Sequence, residues 1–302
     1  MKSNRIKLTD GLEFSRIVHG HMRLSSWNIS AQELVKFTEH SIELGVTTID
    51  HADFYGNYRC EKLFGEALKL DKNLRRKVEI VTKCGIQILS DQFPERKLKH
   101  YDYSYEHIIS TVDNSLRNLN TDYIDLFLLH RPAPFFDPEA VAKAFSNLKA
   151  QGKVLYFGLS NFTPGQFEML ASYTEDKLVT NQVEISPYCL EHFENGNIDY
   201  FMKERIKPMA WSPLAWGKLL IPQDSKGERI RRVIEEIAAE LDVHPVESII
   251  YSWLLNHPAT IMPIVGTGKI ERIKEAVEAM NIEMSLEQWY KIYNASTGTE
   301  LP

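Results

Sequence analysis

Four ionisable side chains stand at or just beyond the ends of predicted buried strands. Asp50 ends the run VTTID, and Tyr55 comes five residues later in TTIDHADFYGN. Lys83 closes VEIVTK, and His130 closes YIDLFLLH. A phenol has a pKa of about 10, and an ammonium beside it in a low-dielectric pocket stabilises the phenolate and lowers that pKa. We therefore predict that Lys83 lowers the pKa of Tyr55, which acts as a general acid.

The other two side chains complete a proton-transfer site. Asp50, facing Lys83, is predicted to keep that lysine charged and in place, because a buried unpaired ammonium tends to lose its proton. His130 is predicted to donate a hydrogen bond to the same substrate oxygen and to fix its orientation. The four side chains therefore suit one proton transfer; a proton delivered to a carbonyl oxygen while a hydride reaches its carbon would produce an alcohol.

The elements that must position these side chains follow a regular pattern. Short β-branched runs alternate with amphipathic segments, which is typical of a parallel sheet with helical crossovers. There are eight predicted strands: 15–20, 46–50, 78–83, 123–130, 154–160, 178–184, 207–212 and 261–266. Eight such units predict an α/β fold, a (β/α)8 TIM barrel that forms a single domain over residues 1–302. In this fold the chemistry lies at the C-terminal ends of the strands.

Three further features refine the predicted barrel. Asp10-Gly11 lies between two short strand-like runs, which predicts a β-hairpin that plugs the N-terminal end of the barrel. An extra helix is predicted at 244–258, before strand eight, and we interpret it as packing because its apolar side chains share one face. They are Ile249, Ile250, Trp253 and Leu254. Ser104 is predicted to cap a helix that has Glu106 in its first turn.

Composition excludes several classes of protein. The net charge is -6 and no basic cluster is interleaved with aromatics, so nucleic acid is not an expected partner. No apolar run approaches the roughly 18 residues of a membrane span, and the N-terminus lacks the apolar core of a secretory signal. We expect a soluble, cytoplasmic protein. Cys60, Cys84 and Cys189 form no CxxC pair, which predicts reduced thiols in the core rather than disulfides or a zinc site.

Longer motifs resemble those of one known family. Gly45, Asp50, Ala52 and Tyr55, followed by EKLFGEAL, resemble the strand-two motif of the aldo-keto reductases. The strand ends TKCG and LLHRP resemble the family's lysine and histidine positions. The resemblance covers nearly the whole chain. It implies that the protein is an NADPH-dependent reductase of aldehydes or ketones with a catalytic tetrad of Asp50, Tyr55, Lys83 and His130.

The same resemblance implies how the nicotinamide end of the cofactor is held. No G-x-G-x-x-G follows a strand, so a Rossmann domain is not predicted and strand-end loops must bind NADPH. Ser160, Asn161 and Gln182 resemble the family's clamp on the carboxamide. Trp211 occupies the position of an aromatic that stacks on the nicotinamide ring. Each of these polar strand ends, taken alone, is also typical of loop-forming sequence.

The pyrophosphate and adenosine ends are implied by two later loops. SPLAWGKLL resembles the loop that covers the pyrophosphate, with contacts from Ser212, Leu214, Gly217 and Lys218. The end of strand eight places Gly266, Thr267, Gly268 and Lys269 at a helix N-terminus, where free N–H groups favour phosphate. Lys269 and Arg272 would then bind the adenosine 2′-phosphate, and Glu275 would accept from the adenine amino group. This predicts NADPH over NADH, although a solvated charge pattern also accounts for Arg272 and Glu275.

The end of strand one and two loops complete the predicted site. Gly20, Met22 and Arg23 would line the cofactor ribose and the rim of the site. Trp27 would either form a wall of the substrate pocket or anchor its loop. The segment 85–104 would form another pocket wall, or else an exposed charged loop, and it offers Arg96, Lys97, Lys99 and His100 for anion contacts.

The substrate is expected to be a small carbonyl compound. Little sequence follows the last helix, so we predict an open pocket that tolerates many aldehydes and ketones. No metal is expected, and the family implies a monomer or a weak homo-oligomer.

Two other functions remain open from sequence. His19-Gly20-His21 at the first strand end also resembles the start of a metal site in barrel hydrolases, although later strand ends offer few ligands. Some barrels of the resembled family bind NADPH and serve mainly as sensors or partner-binding proteins with little turnover. Retention of His130 favours the enzyme, because those relatives depart from the tetrad at that position.

Overall fold

An antiparallel hairpin opens the fold. The computed structural model describes residues 4–301. Strands β1 (Arg5–Thr9) and β2 (Leu12–Ser15) pair around Asp10-Gly11, where Gly11 has a φ of 79°, a conformation that glycine adopts without strain. Leu12 and Phe14 pack against side chains inside the barrel, including Val81 and Met209. The predicted hairpin plug is therefore confirmed.

Eight parallel strands close into a barrel. The strands after the hairpin are β3 (Val18–Gly20), β4 (Thr48–Asp50), β5 (Glu79–Cys84), β6 (Ile86–Gln87), β7 (His100–Tyr101), β8 (Ile124–Leu129), β9 (Val154–Ser160), β10 (Leu178–Glu184), β11 (Met209–Trp211) and β12 (Met262–Val265). Strands β6 and β7 form a separate antiparallel pair, and the other eight form the barrel in chain order, with β12 pairing β3. The predicted (β/α)8 fold is confirmed. Strands β9 and β10 have their predicted bounds, and the rest differ by up to three residues at an end.

Helices surround the barrel. They are α1 (Ala31–Glu43), α2 (Tyr55–Tyr58), α3 (Cys60–Leu70), α4 (Tyr105–Leu119), α5 (Pro138–Ala150), α6 (Pro164–Ala171), α7 (Glu191–Glu194), α8 (Asn197–Glu204), α9 (Ser225–Glu240), α10 (Glu247–Leu255), α11 (Ile270–Glu278) and α12 (Leu286–Thr297). Short 3-10 turns cover Leu24–Ser26, Leu74–Lys77, Ala215–Gly217 and Ala279–Asn281. Ser104 caps α4 by accepting from the His107 N–H, as predicted. Among residues 4–301, no helix has the length and apolar character needed to span a membrane.

The extra helix predicted before the last barrel strand, β12, is α10, which is shorter than predicted. The four apolar side chains predicted to share one face are fully buried. Trp253 stacks on Trp289 of α12 with 4.8 Å between ring centroids, and each indole N–H donates to the other residue's carbonyl. Its neighbours Tyr251 and Leu255 are buried as well, so α10 is covered on more than the predicted face.

The three thiols are free. Cys60 and Cys84 are buried, as the prediction of core thiols requires, whereas Cys189 is partly exposed. No disulfide constrains these positions, so packing and hydrogen bonding hold this part of the fold.

Candidate active site

A cavity of about 550 Å³ opens at the C-terminal ends of the barrel strands. Most of the predicted site residues line it. They are Gly20, Met22, Arg23, Asp50, Tyr55, His130, Ser160, Asn161, Gln182, Trp211, Ser212, Leu214, Gly217, Gly266, Thr267 and Arg272. Lys83 lies behind this wall and is fully buried. Four predicted cofactor contacts do not line the cavity: Lys218, Gly268, Lys269 and Glu275.

The Lys83 ammonium is the centre of the buried polar group. Its Nζ donates to both carboxylate oxygens of Asp50, at 2.7 and 2.8 Å, and to the carbonyl of His51 at 2.7 Å. The hydroxyl oxygen of Tyr55 lies 3.3 Å away. Burial lowers the pKa of Lys83, and the Asp50 carboxylate opposes that shift. The predicted contact between Asp50 and Lys83 is confirmed, because the lysine is 0% exposed and directly paired.

A left-handed turn directly follows Tyr55. Gly56 and Asn57 have φ values of 58° and 56°. A Cβ on Gly56 would lie 2.5 Å from the Ser25 hydroxyl oxygen and from the Cys60 sulfur, so only glycine fits there. The Tyr55 side chain before this turn lies in the cavity wall beside Lys83.

The predicted effect on the pKa of Tyr55 is wrong in direction. Burial, the largest cause, raises that pKa well above its usual value, and the carboxylates of Asp50 and Asp53 raise it further. Sequence reasoning gave the lysine charge more weight than the burial of the phenol and did not consider the effect of the two carboxylates on the phenol. The phenol therefore holds its proton at neutral pH, which is the state that a proton donor requires.

His130 is a neutral side chain of the same wall. Burial lowers its pKa well below the usual value, and the positive charges of Lys83, Arg131 and Lys99 act in the same direction. Its ring lies 5.8 Å from the Tyr55 ring and 5.1 Å from the Phe54 ring, measured between centroids. The imidazole is thus placed to give or accept a hydrogen bond in the cavity without carrying charge.

A side-chain network joins the predicted carboxamide clamp to the tetrad. The side-chain amide nitrogen of Gln182 donates to Oδ1 of Asp50 at 2.8 Å, and the Ser160 hydroxyl donates to the backbone carbonyl of Gln182 at 2.8 Å. Asn161 donates to the Ser160 hydroxyl and accepts from the Trp211 indole N–H at 3.0 Å. The link from Gln182 to Asp50 had no signal in the sequence, because it crosses the barrel between β10 and β4.

The pyrophosphate and adenosine ends are only partly assembled as predicted. Arg272 and Thr267 line the cavity, whereas Lys218 lies with its ammonium 4.6 Å from the centre of the Tyr188 ring. Gly268 packs against Trp27, since a Cβ there would lie 2.8 Å from the indole. Trp27 does not line the cavity, so its interpretation as a pocket wall is wrong and it anchors its loop instead.

The cavity wall contains residues that sequence reasoning did not name individually, although two of them, Ile86 and Tyr101, lie in the segment 85–104 predicted as a possible pocket wall. Phe54, Ile86, Tyr101, Arg131, Trp216 and Tyr251 all line the cavity. Arg131 follows His130 directly in LLHRP, so the motif itself contained that signal, whereas Tyr251 belongs to the helix interpreted as packing. Lys99 is the one cation of the four proposed in segment 85–104 that lines the cavity. Arg96 instead stacks over Phe93 and donates to Tyr58.

The histidines of the HGH motif do not converge on a point. His19 and His21 are hydrogen-bonded in series with His51 on the helix-facing side of the barrel wall. Within residues 4–301, no group of three or more His, Cys, Asp or Glu side chains has an arrangement that could hold a metal ion.

Comparison with known proteins identifies the family. Residues 16–296 match the sequence pattern of the Aldo/keto reductase family. The chain is 49% identical to YcsN, an uncharacterized oxidoreductase of Bacillus subtilis, over 99% of each chain. It is 40% identical to 6-dehydroglucose reductase of Agrobacterium fabrum, over 98% of this chain and 99% of that one. A crystal structure of the thermostable aldo-keto reductase Tm1743 with the inhibitor epalrestat superposes with a TM-score of 0.79 at 26% identity, covering 96% of this chain and 99% of the other.

The protein belongs to the aldo/keto reductase family. It is an oxidoreductase of a family whose general reaction is carbonyl reduction with a nicotinamide cofactor. The resemblance seen in the sequence motifs is confirmed.

Proposed function

We propose that the protein reduces an aldehyde or ketone to an alcohol, with hydride from NADPH and a proton from Tyr55. The observation that carries the proposal is the Lys83 ammonium, which contacts the Asp50 carboxylate and the Tyr55 hydroxyl inside a fully buried site. If the Asp50–Lys83 ion pair had only a structural role, it would not require a phenol beside it at the cavity surface.

Tyr55 acts as the general acid. The substrate carbonyl oxygen accepts a hydrogen bond from the phenol, and this oxygen becomes an alkoxide as hydride reaches the carbon. An alkoxide is a much stronger base than a phenolate, so it takes the proton even though burial raises the pKa of Tyr55. The phenolate that remains lies 3.3 Å from the Lys83 ammonium, which stabilises it.

His130 orients the carbonyl. Its depressed pKa keeps the imidazole neutral, so it does not compete with Tyr55 as the proton source. A neutral imidazole N–H is a suitable second donor to the same oxygen. Phe54, which packs against the ring, holds its plane.

The residues present fit a nicotinamide nucleotide. When bound, NADPH supplies the hydride. Ser160, Asn161, Gln182 and Trp211 would hold the nicotinamide, and the Gln182 side-chain oxygen remains available because its nitrogen is used by Asp50. Ser212, Leu214 and Gly217 would contact the pyrophosphate. The preference for NADPH rests on Arg272, since Lys269 and Glu275 lie outside the cavity.

The substrate range is proposed to be broad. The cavity is bounded by Phe54, Tyr101 and Trp216, whose rings accept varied apolar groups. The relative named 6-dehydroglucose reductase supports the inclusion of sugar-derived aldehydes in that range. The proposal retains the sequence-based expectations of a single domain, a cytoplasmic location and a monomer or weak homo-oligomer.

The test is the loss of reduced-nicotinamide absorbance with NADPH and then NADH, using aromatic aldehydes, dicarbonyls and sugar-derived aldehydes. We expect turnover with NADPH and a loss of about 10²-fold or more in Tyr55→Phe, because the general acid is removed. A Tyr55→Phe variant as active as wild type would contradict the assigned role. Tight NADPH binding without turnover of any substrate would favour the sensor function instead.

A further inference from the structure

Three buried histidines form a hydrogen-bonded series beside the tetrad. The His51 Nε2 lies 3.0 Å from the His21 Nδ1, and the His21 Nε2 lies 3.1 Å from the His19 Nδ1. The His19 Nε2 lies 2.9 Å from the carbonyl oxygen of Thr267. The three rings are 0% exposed. The series runs from the C-terminal end of β4 along that of β3 to that of β12, which are neighbouring strands. Phe37 of α1 and Phe64 of α3 cover them from the helix side.

The Thr267 carbonyl fixes every tautomer in this histidine series. A carbonyl only accepts, so the proton of His19 is on Nε2 and its Nδ1 accepts from His21. His21 therefore carries its proton on Nε2 and accepts from His51 at Nδ1, which places the His51 proton on Nε2 as well. The remaining acceptor, Nδ1 of His51, is buried without a partner within residues 4–301. All three rings thus donate in one direction, toward the end of β12.

This arrangement holds position and does not conduct protons. Burial lowers the pKa of His19 to about 4 and that of His51 to about 3, so neutral rings prevail at physiological pH. A proton wire needs an exit that can release a proton, and the series ends on an amide carbonyl. The histidine series is therefore a rigid spacer between two strand ends.

At one end the spacer fixes the peptide that leads into α11. Because the Thr267 carbonyl is directed at His19, the N–H of Gly268 in the same trans peptide points away from the histidines. That N–H meets no acceptor in the part of the chain that the structure describes. Trp27 stacks on His19 at 5.4 Å between centroids and packs on Gly268, so both aromatic side chains contact this peptide.

At its other end the histidine series begins at His51, which also binds the ammonium of Lys83. The His51 N–H donates to the Val81 carbonyl at 2.8 Å, and its carbonyl accepts from the Lys83 ammonium at 2.7 Å. One residue thus anchors both Lys83 and the histidine series. A movement of the loop after β12 must therefore be transmitted to His51 or must break the histidine series.

We propose that His19, His21 and His51 are positioning residues that hold the Thr267–Gly268 peptide in the orientation required for cofactor binding and tie it to the strand end that holds Lys83. This inference rests on the proposed function, since it assumes that a nicotinamide nucleotide occupies the cavity. None of the three side chains touches the reacting atoms.

The first experiment measures the tautomers by NMR of protein labelled with ¹⁵N in its imidazole rings. We expect three slowly exchanging Nε2–H groups and three unprotonated Nδ1 atoms, with no nucleotide added. An Nδ1–H tautomer at any of the three positions would overturn the proposed direction of the series.

The second experiment breaks the series at its centre. In His21→Leu we expect KM for NADPH to rise about tenfold, the factor typical of one buried hydrogen bond lost, with kcat changed less than twofold. The amide of His21→Gln reaches the position of Nε2 and can still donate to His19, so it is expected to restore most of the affinity. His192→Leu, which removes another buried hydrogen-bonded histidine away from the cavity, is the matched control and leaves KM unchanged.

The outcomes separate this inference from the proposed function. If wild type binds NADPH and His21→Leu has the same KM, the positioning role is overturned while the proposed function stands. If wild type binds neither NADPH nor NADH, the proposed function fails and the positioning role fails with it. If His21→Leu does not fold, His21→Asn replaces it as the test variant. The Asn amide reaches only the position of Nδ1, so it cannot donate to His19. An unchanged KM for NADPH in His21→Asn would overturn the proposal.

Discussion

Acidification from about pH 7.5 to about pH 5 is expected to destabilise the protein through its buried histidines. Unfolded histidine has a pKa of about 6.5, whereas burial places the folded-state pKa at about 4 for His19 and about 3 for His51. Both folded-state values are lower, so the unfolded chain binds more protons in this window. The stability is fully present above about pH 6.5 and is lost as pH falls toward the folded-state values.

The magnitude follows from these values. Between about pH 7.5 and about pH 5, each of the two histidines lowers the free energy of unfolding by about 2 kcal/mol. Together they account for about 4 kcal/mol, a large share of the roughly 5–15 kcal/mol typical of a folded protein. Burial lowers the pKa of His21 and His130 as well, so their contributions have the same sign.

Urea unfolding followed by circular dichroism at several pH values measures this loss. Each buried histidine contributes a slope of up to about 1.4 kcal/mol per pH unit in the window. His21→Leu and His21→Gln both remove one titrating group, so both are expected to show the same reduced slope, whatever their stability at pH 7.5. Equal slopes in wild type and in both variants would refute the reasoning.

Three further predictions concern the site itself. Lys83→Met leaves the Asp50 carboxylate buried and without its ammonium partner, which is expected to cost about 3–5 kcal/mol in urea unfolding. The double variant with Asp50→Asn is expected to cost less than the two single losses added, and strict additivity would contradict the pairing. Gly56→Ala forces a side chain into a left-handed turn against Ser25, so we expect a loss of about 1–3 kcal/mol and reduced kcat; Gly165→Ala, where a Cβ meets nothing within 4 Å, is the control measured beside it. Arg131→Gln removes a cavity cation and is expected to raise KM about fivefold for a carboxylate-bearing aldehyde, with little change for its neutral methyl ester; equal changes for both substrates would count against a role in recognising charge.

The barrel was predictable because its strands are short runs rich in β-branched residues, whereas its helices are longer amphipathic segments. Two of the eight barrel strands have the bounds that the β-branched runs indicate, and the hairpin follows from Asp10-Gly11. The convergence of Asp50, Lys83 and His130 was predictable for a topological reason, since all strands of a parallel barrel end on one face. No tertiary coordinates are needed for that inference.

What could not be predicted depends on distances across the fold. The pKa of Tyr55 rises mainly because of burial, and the carboxylates of Asp50 and Asp53 raise it further; both residues stand in the motif, but the motif does not show how close they lie to the phenol. Tyr251 reaches the cavity from a helix whose apolar pattern indicates only packing. The contact between Gln182 and Asp50 joins strands that are distant in sequence, and the place of His51 in the histidine series depends on a side-chain direction that strand periodicity alone does not fix.

The electrostatic state of the site explains why one lysine is enough for the proposed chemistry. At rest the charges of Asp50 and Lys83 face each other at 2.7 Å, and Tyr55 and His130 are neutral, so these four side chains together carry no net charge. Proton transfer places a new negative charge on the Tyr55 oxygen, 3.3 Å from the ammonium. Because Asp50 is also held by Gln182, it can remain fixed while Lys83 strengthens its contact with the phenolate. The stabilisation is therefore greatest when the charge develops, which is the condition for lowering the barrier rather than only binding the substrate.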